Sequence, residues 1–269
     1  MLTVLLVSTK PLSPSESRAA AASAWRIAAW GVAIFLGTRI AALLLDSLSL
    51  PAAVAQAVVA EWGVGRVGVA WTDPKTPLPT TAMIAKRAGM GAAVGIVTAA
   101  VVVGFLATTG AIRLEHAHPA GGAIVVGLVT AGLYAMRDEL LFHGLVLRAL
   151  VSVDMPVAKV LACGVTSAAA AYGEVGPSSP YAIAVQGLLG MVFGALWVRD
   201  RGAWPAWGAH TAWLFTTSAL MGGFYEARVA GTAWGGGDTG SLGGMAAVVA
   251  LLPIAAGALI GSARARRPA

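Results

Sequence analysis

The stretch Ala88–Ile112, AGMGAAVGIVTAAVVVGFLATTGAI, runs for 25 residues without a charged side chain. A helix needs roughly 20 apolar residues to cross a hydrocarbon core of about 30 Å, so this run reads as a membrane span. Three more uncharged or nearly uncharged runs resemble it: Val175–Val198, Gly202–Tyr225 and Thr239–Ala263. Trp25–Leu45 is interrupted only by Arg26 and Arg39, and Pro51–Trp71, Gly122–Leu150 and Pro156–Gly173 are more polar candidates. Pro51, Pro119, Pro156, Pro180 and Pro205 fall near helix starts, where a missing N–H costs least. The expectation is an all-α, polytopic membrane protein, a bundle of about eight transmembrane helices.

Composition agrees. Of 269 residues, 58% are hydrophobic and 11% charged. Soluble domains carry about 25% charged residues, so an ordinary soluble globule and a disordered chain are excluded. The net charge of +6 is scattered and forms no basic block, so a nucleic-acid partner is not expected. The single cysteine, Cys163, leaves no internal disulfide and reads as a small packing residue.

Met1–Val7 is too short and lacks the basic flank of a secretory signal, so residues 1–24 are expected to be a cytoplasmic tail. A single transmembrane domain would then occupy residues 25–263, with 264–269 as a basic cytoplasmic tail. With both termini inside, nearly all loop Lys and Arg face the cytoplasm, and Arg113 and Arg228 lie outside. Met221–Gly244 becomes an external loop, as does the short segment bearing His116 and His118, which are expected to be solvated. Gly91/Gly95, Gly190/Gly194 and Gly257/Gly261 form small-xxx-small pairs that read as packing within the bundle.

Ionisable residues inside such helices are the functional suspects. Arg137, Asp138 and Glu139 stand in a row, with His143 four residues beyond Glu139. On a helix Glu139 and His143 share a face, Asp138 points about 100° away, and Arg137 can neutralise a carboxylate. A structural ion pair at the membrane boundary is the competing reading. His210 is the lone ionisable group of Gly202–Tyr225. At about 1.5 Å per residue, Asp138 and His210 fall at similar depth on the cytoplasmic side and can meet. Two carboxylates and two imidazoles in a bundle can polarise water or bind a divalent metal such as zinc, for which Glu139, His143 and His210 form a three-ligand set. Ser167 lies in a helix with no small-residue loop around it, which argues against a serine protease. Gly235–Asp238 imitates a glycine–aspartate signature without a partner aspartate.

The segment Asp138-Glu139-Leu140-Leu141-Phe142-His143-Gly144 resembles the first motif of the CPBP family, the CAAX prenyl endopeptidases and bacteriocin-processing membrane proteins. That motif reads E-E-x-x-x-R, with Phe before the Arg and Gly after it. Gly190–Trp213 is similar to the family's last segment, where a glycine-rich helix and a basic turn lead into H-x-x-x-N. The resemblance covers Arg137–Phe215. It implies an intramembrane endopeptidase in a bacterial cytoplasmic membrane, acting on a membrane-embedded peptide or protein. Asp138 or Glu139 would be the base, and His210 would stabilise developing charge.

Four departures stand out. The first Glu is Asp138, the motif Arg is His143, and the last-motif Asn is Leu214, which cannot donate a hydrogen bond. The second motif's His is missing from Ser167–Glu174, where Tyr172 or Glu174 would have to substitute. A degenerate member that binds or escorts a membrane partner is therefore the alternative.

Overall fold

The computed structural model describes residues 14–45, 48–72, 78–118, 121–175, 180–220 and 223–264. Eight helical rods run through them. They are α1 (Pro14–Leu44), α2 (Ser49–Gly65), α3 (Thr81–Thr108), α4, α5 (Pro156–Val175), α6 (Pro180–Asp200), α7 (Trp204–Leu214) and α8 (Met245–Arg264). Rod α4 is continuous but changes character twice: α-helical over Ala123–Asp138, π-helical over Glu139–Gly144, and α-helical again over Leu145–Ala149. A second π turn, Phe215–Leu220, continues α7.

The eight rods lie where the sequence places eight spans. Four are long and apolar enough to cross a membrane: Ser23–Leu44, Thr81–Thr108, Pro180–Asp200 and Met245–Arg264. The chain is a multi-pass membrane protein. The remaining rods are shorter, broken by a π turn or more polar. Large hydrophobic side chains such as Leu43, Val97 and Leu252 are exposed on the outside of the bundle, the inverse of a soluble surface and what lipid requires. Rod α1 begins at Pro14, inside the stretch expected as a tail. Residues 1–13 and 265–269 lie outside the described residues, and with them most of both expected tails.

Two interfaces position the site. Rods α3 and α7 meet backbone to backbone: a Cβ at Gly91 or Gly95 would strike the carbonyls of Pro205 and Ala209, and one at Gly208 would strike that of Ala88. Rods α5 and α6 meet through Gly190 and Gly194, which lie against Ser167 and Cys163. Both are small-residue contacts of the kind that lets helices approach closely. The third expected pair is a correction, since Gly257 and Gly261 have open space in place of a neighbour.

The all-helical expectation needs one amendment. β1 (Ile112–His116) and β2 (Tyr225–Val229) form a two-stranded antiparallel sheet, registered from Ile112 opposite Val229 to His116 opposite Tyr225. Rod α3 therefore ends at Thr108, short of Ile112, and Gly110 turns the chain with φ +71°. The alternation Ile-Arg-Leu-Glu-His fits a strand, and pairing satisfies the backbone groups that a loop would leave to water. Arg228 and Glu115 form an exposed 2.8 Å ion pair across it. The expected external loop is thus partly structured, and His116 sits on β1 against Tyr225, with ring centroids 5.7 Å apart.

At the opposite end of α3, the chain leaving α2 is pinned to the turn before α7. Ala203 N–H donates to the Trp71 carbonyl at 2.9 Å, and Trp71 stacks on Trp204 with centroids 4.7 Å apart. This clamp fixes the entry of α7, and so the height of His210.

Candidate active site

The π turn of α4 presents the acidic pair. It closes i→i+5 hydrogen bonds, one residue more than an α-helix, and such turns recur at functional sites. Glu139 opens it and His143 lies within it, both buried. His143 Nδ1 lies 2.9 Å from Glu139 Oε2. The other carboxylate oxygen, Oε1, lies 2.9 Å from Nδ1 of His210 on α7. A third donor comes from α6, where the Trp197 indole N–H donates to Glu139 Oε2 at 2.6 Å. Glu139 is completely buried, and a carboxylate survives such burial only with partners of this kind.

Asp138 has a different setting. Arg137 Nε donates to its Oδ1 at 2.6 Å, and Arg137 Nη1 donates to the Gln56 side-chain oxygen on α2 at 2.5 Å. The free oxygen, Oδ2, faces His210 Nε2 at 4.0 Å. The two carboxylates thus bracket one imidazole at its two nitrogens. Phe193 stacks on that ring, with centroids 4.5 Å apart and planes at 19°, which fixes its orientation. A carboxylate only accepts, so Nδ1–H of both histidines donates to Glu139, while Nε2 of His143 faces Ser167 and Nε2 of His210 faces Asp138.

These groups open into a cavity of about 400 Å³, within the range of small-ligand sites. Arg39, Gln56, Asp138, His143, Gln186 and His210 supply its polar wall. Ser167, Ala170, Ala171 and Leu214 also line it.

The structure therefore brings Asp138, Glu139, His143 and His210 together from α4 and α7. It does not bring in Tyr172, which is 54% exposed and no part of the cavity wall. On α5 the cavity-facing positions are 167, 170 and 171, so a substitute at Tyr172 is a correction. The side chain of Glu174 lies outside the described residues. Cys163 is buried against Gly194, as a packing residue would be.

The three-ligand metal set does not take the form of a cage. Both oxygens of Glu139 are occupied by imidazole nitrogens, and the remaining lone pairs diverge, His143 Nε2 toward Ser167 and His210 Nε2 toward Asp138. Among the described residues no three His, Cys, Asp or Glu side chains are grouped to hold a metal ion. The set is a hydrogen-bonded network with the carboxylate at its centre.

Sequence reasoning missed Trp197, Phe193, Gln56 and Gln186. The two glutamines had a signal, as lone amides in apolar helices. Trp197 had none, because a tryptophan near a helix end reads as an interfacial anchor.

No curated protein matches the chain. Over residues 119–216, which hold the acidic pair, both cavity imidazoles and Trp197, the chain matches the family model of Rce1-like, type II CAAX prenyl endopeptidases, the family its motif order resembles.

Proposed function

We propose that the cavity hydrolyses a peptide bond in a membrane-embedded peptide or protein, as an intramembrane endopeptidase of the CAAX-protease-like type. The observation that carries this reading is the 4.0 Å separation of Asp138 Oδ2 and His210 Nε2 at the cavity wall. That gap is too long for a direct hydrogen bond and fits one water bonded to both groups. Asp138 orients the water, and His210 Nε2, expected from the resemblance to stabilise charge with a carboxylate as base, here accepts the water's proton as the oxygen attacks the carbonyl carbon. Glu139 holds Nδ1–H, fixes the ring and neutralises the imidazolium that forms, the role of a carboxylate behind a catalytic histidine. The proton then passes to the leaving amine.

This assigns different work to the neighbouring carboxylates. Glu139, with three donors on two oxygens, is the positioning residue; Asp138, with an open oxygen, touches the reacting water. Each group is drawn from this chain's own residues, and no step needs a metal. The basic loop residues favour both termini in the cytoplasm of a bacterial membrane, with the cavity nearer that side.

The second reading, a degenerate member that escorts a partner, draws on Leu214 lining the cavity where the resemblance implies an Asn. Membrane-proteome terminomics decides between them, comparing cells bearing wild type with cells bearing Asp138→Asn at equal membrane abundance. The expected result is a set of peptide termini found only with wild type, depleted about 10²–10⁴-fold in the variant. Identical termini, with Asp138→Asn still rescuing a deletion phenotype, would establish the escort.

A further inference from the structure

Ser167 and Thr166 are neighbours in the interior of α5, and they behave differently. A hydroxyl inside a helix commonly bonds back to the carbonyl one turn earlier. Thr166 does so with Ala162 at 2.9 Å, as do Thr108 with Gly104, Thr217 with Trp213 and Ser262 with Ala258. Ser167 points its Oγ across the helix interface, 3.4 Å from Nε2 of His143. The far nitrogen of that imidazole is the one held by Glu139 at 2.9 Å.

Hydroxyl, imidazole and carboxylate thus form a chain in which the base is oriented by an acid, the arrangement that activates a serine. The tautomer is the required one, with Nδ1–H toward the carboxylate and the Nε2 lone pair toward the hydroxyl. All three side chains are buried, and Ser167 and His143 both reach the cavity wall. Gly190 on α6 makes the room, since a Cβ there would collide with the Ser167 side chain. One turn away on α6, Gln186 brings an amide to the same cavity, a neutral donor suited to a developing oxyanion.

We infer that Ser167 is a nucleophile, and that Ser167, His143 and Glu139 carry acyl transfer from peptide or ester substrates through an acyl-serine. In the first step Ser167 Oγ bonds to the carbonyl carbon and its proton moves to His143 Nε2. The carbon–nitrogen bond, or carbon–oxygen bond in an ester, then breaks as His143 returns that proton to the leaving group. In the second step water adds to the acyl carbon and gives one proton to His210 Nε2; the carbon–Oγ bond breaks, Ser167 Oγ takes the remaining proton of the product acid, and a carboxylate departs. This step rests on the reading above, with one change: the water held by Asp138 and His210 attacks the acyl-serine after the amine or alcohol has left, in place of the intact substrate carbonyl.

The test uses the purified full chain in lipid nanodiscs and a fluorophosphonate probe, which forms a stable adduct with activated serines. Tryptic peptides are read by mass spectrometry. Wild type is expected to carry the adduct on Ser167, Ser167→Ala to carry none, and His143→Ala to label about 10²-fold more slowly. Thermal melting confirms that the variants fold; if His143→Ala does not, the site of the adduct in wild type decides alone. Absence of an adduct on Ser167 in folded wild type overturns the inference.

The two proposals fail separately. Wild-type termini that vanish in Asp138→Asn but persist in Ser167→Ala, with Ser167 unlabelled, would leave the hydrolytic reading standing and remove the nucleophile. An adduct on Ser167 without Asp138-dependent termini would keep the nucleophile and its first step and remove Asp138 as the group that holds the water.

Discussion

The two faces of α7 are built on opposite principles. Toward α3 it is closed by backbone: Gly91 and Gly95 lie on the carbonyls of Pro205 and Ala209, Gly208 lies on that of Ala88, and Ala206 and Ala209 are fully buried. Toward α4 and α6 it is closed by side chains, with His210 stacked on Phe193 and bonded to Glu139. The first face tolerates no added atom but asks nothing of charge or protonation. The second has room, a cavity of about 400 Å³, and the carboxylate beside it, Glu139, depends on donors from two other helices, Trp197 of α6 and His210 of α7. One face sets where α7 stands; the other uses the position.

Substitutions should separate the two faces, and the largest effect belongs to the dry one. Gly95→Leu forces two backbones apart and should exceed the roughly 1–3 kcal/mol usual for overpacking. The expected result is loss of a monodisperse, folded species in size-exclusion chromatography. A normal elution profile and melting temperature would mean that the α3–α7 contact is not rigid.

On the polar face, His210→Ala should keep a monodisperse elution profile with a lowered melting temperature, since it removes the partner of Glu139 Oε1, while lowering cleavage about 10²–10⁴-fold, measured as wild-type-specific termini in membranes. Unfolding of this variant would erase the distinction between the faces. A smaller effect is expected for Trp197→Phe, which deletes one of the three donors to Glu139 and should cost about 1–3 kcal/mol in thermal unfolding. No change would show that the indole bond is incidental. Smallest is Arg87→Ala, which breaks the 3.4 Å pair with Asp200 between two partly exposed side chains. Its effect on the melting temperature should correspond to less than about 1 kcal/mol.

The same division governs what the sequence could say. Uncharged runs and glycine spacing are local signals, so the eight rods and the Gly91/Gly95 contact were legible before any coordinates. The meeting of Asp138 with His210 was also legible, because depth along two helices is a matter of counting residues. What counting could not supply is the direction of each side chain. A straight helix leaves Asp138 and Glu139 about 100° apart, whereas the π turn begins at Glu139 and lets both carboxylates reach one imidazole.

Ser167 shows the limit most plainly. Its own helix carries no nucleophile motif, and its partner is His143, 24 positions earlier on another rod. Spacing along one chain cannot register such a pair. Read in three dimensions, one departure from the family motif, His143 in place of Arg, lies 3.4 Å from Ser167, in the stretch where the second motif's His is missing. The hairpin was hidden for a related reason: Ile112–His116 shows strand alternation over five residues, and its partner lies beyond four intervening helices.

The central claim is that one buried carboxylate, Glu139, fixes both cavity imidazoles through their Nδ1 atoms. Nitrogen NMR of protein labelled on its histidine rings tests it directly, with His143 and His210 assigned by single alanine variants. The account predicts a protonated Nδ1 in both rings, and loss of that pattern in both when Glu139→Gln is introduced. A neutral ring carrying its proton on Nε2 at either position, or a Glu139→Gln variant that alters only one of the two, would contradict it.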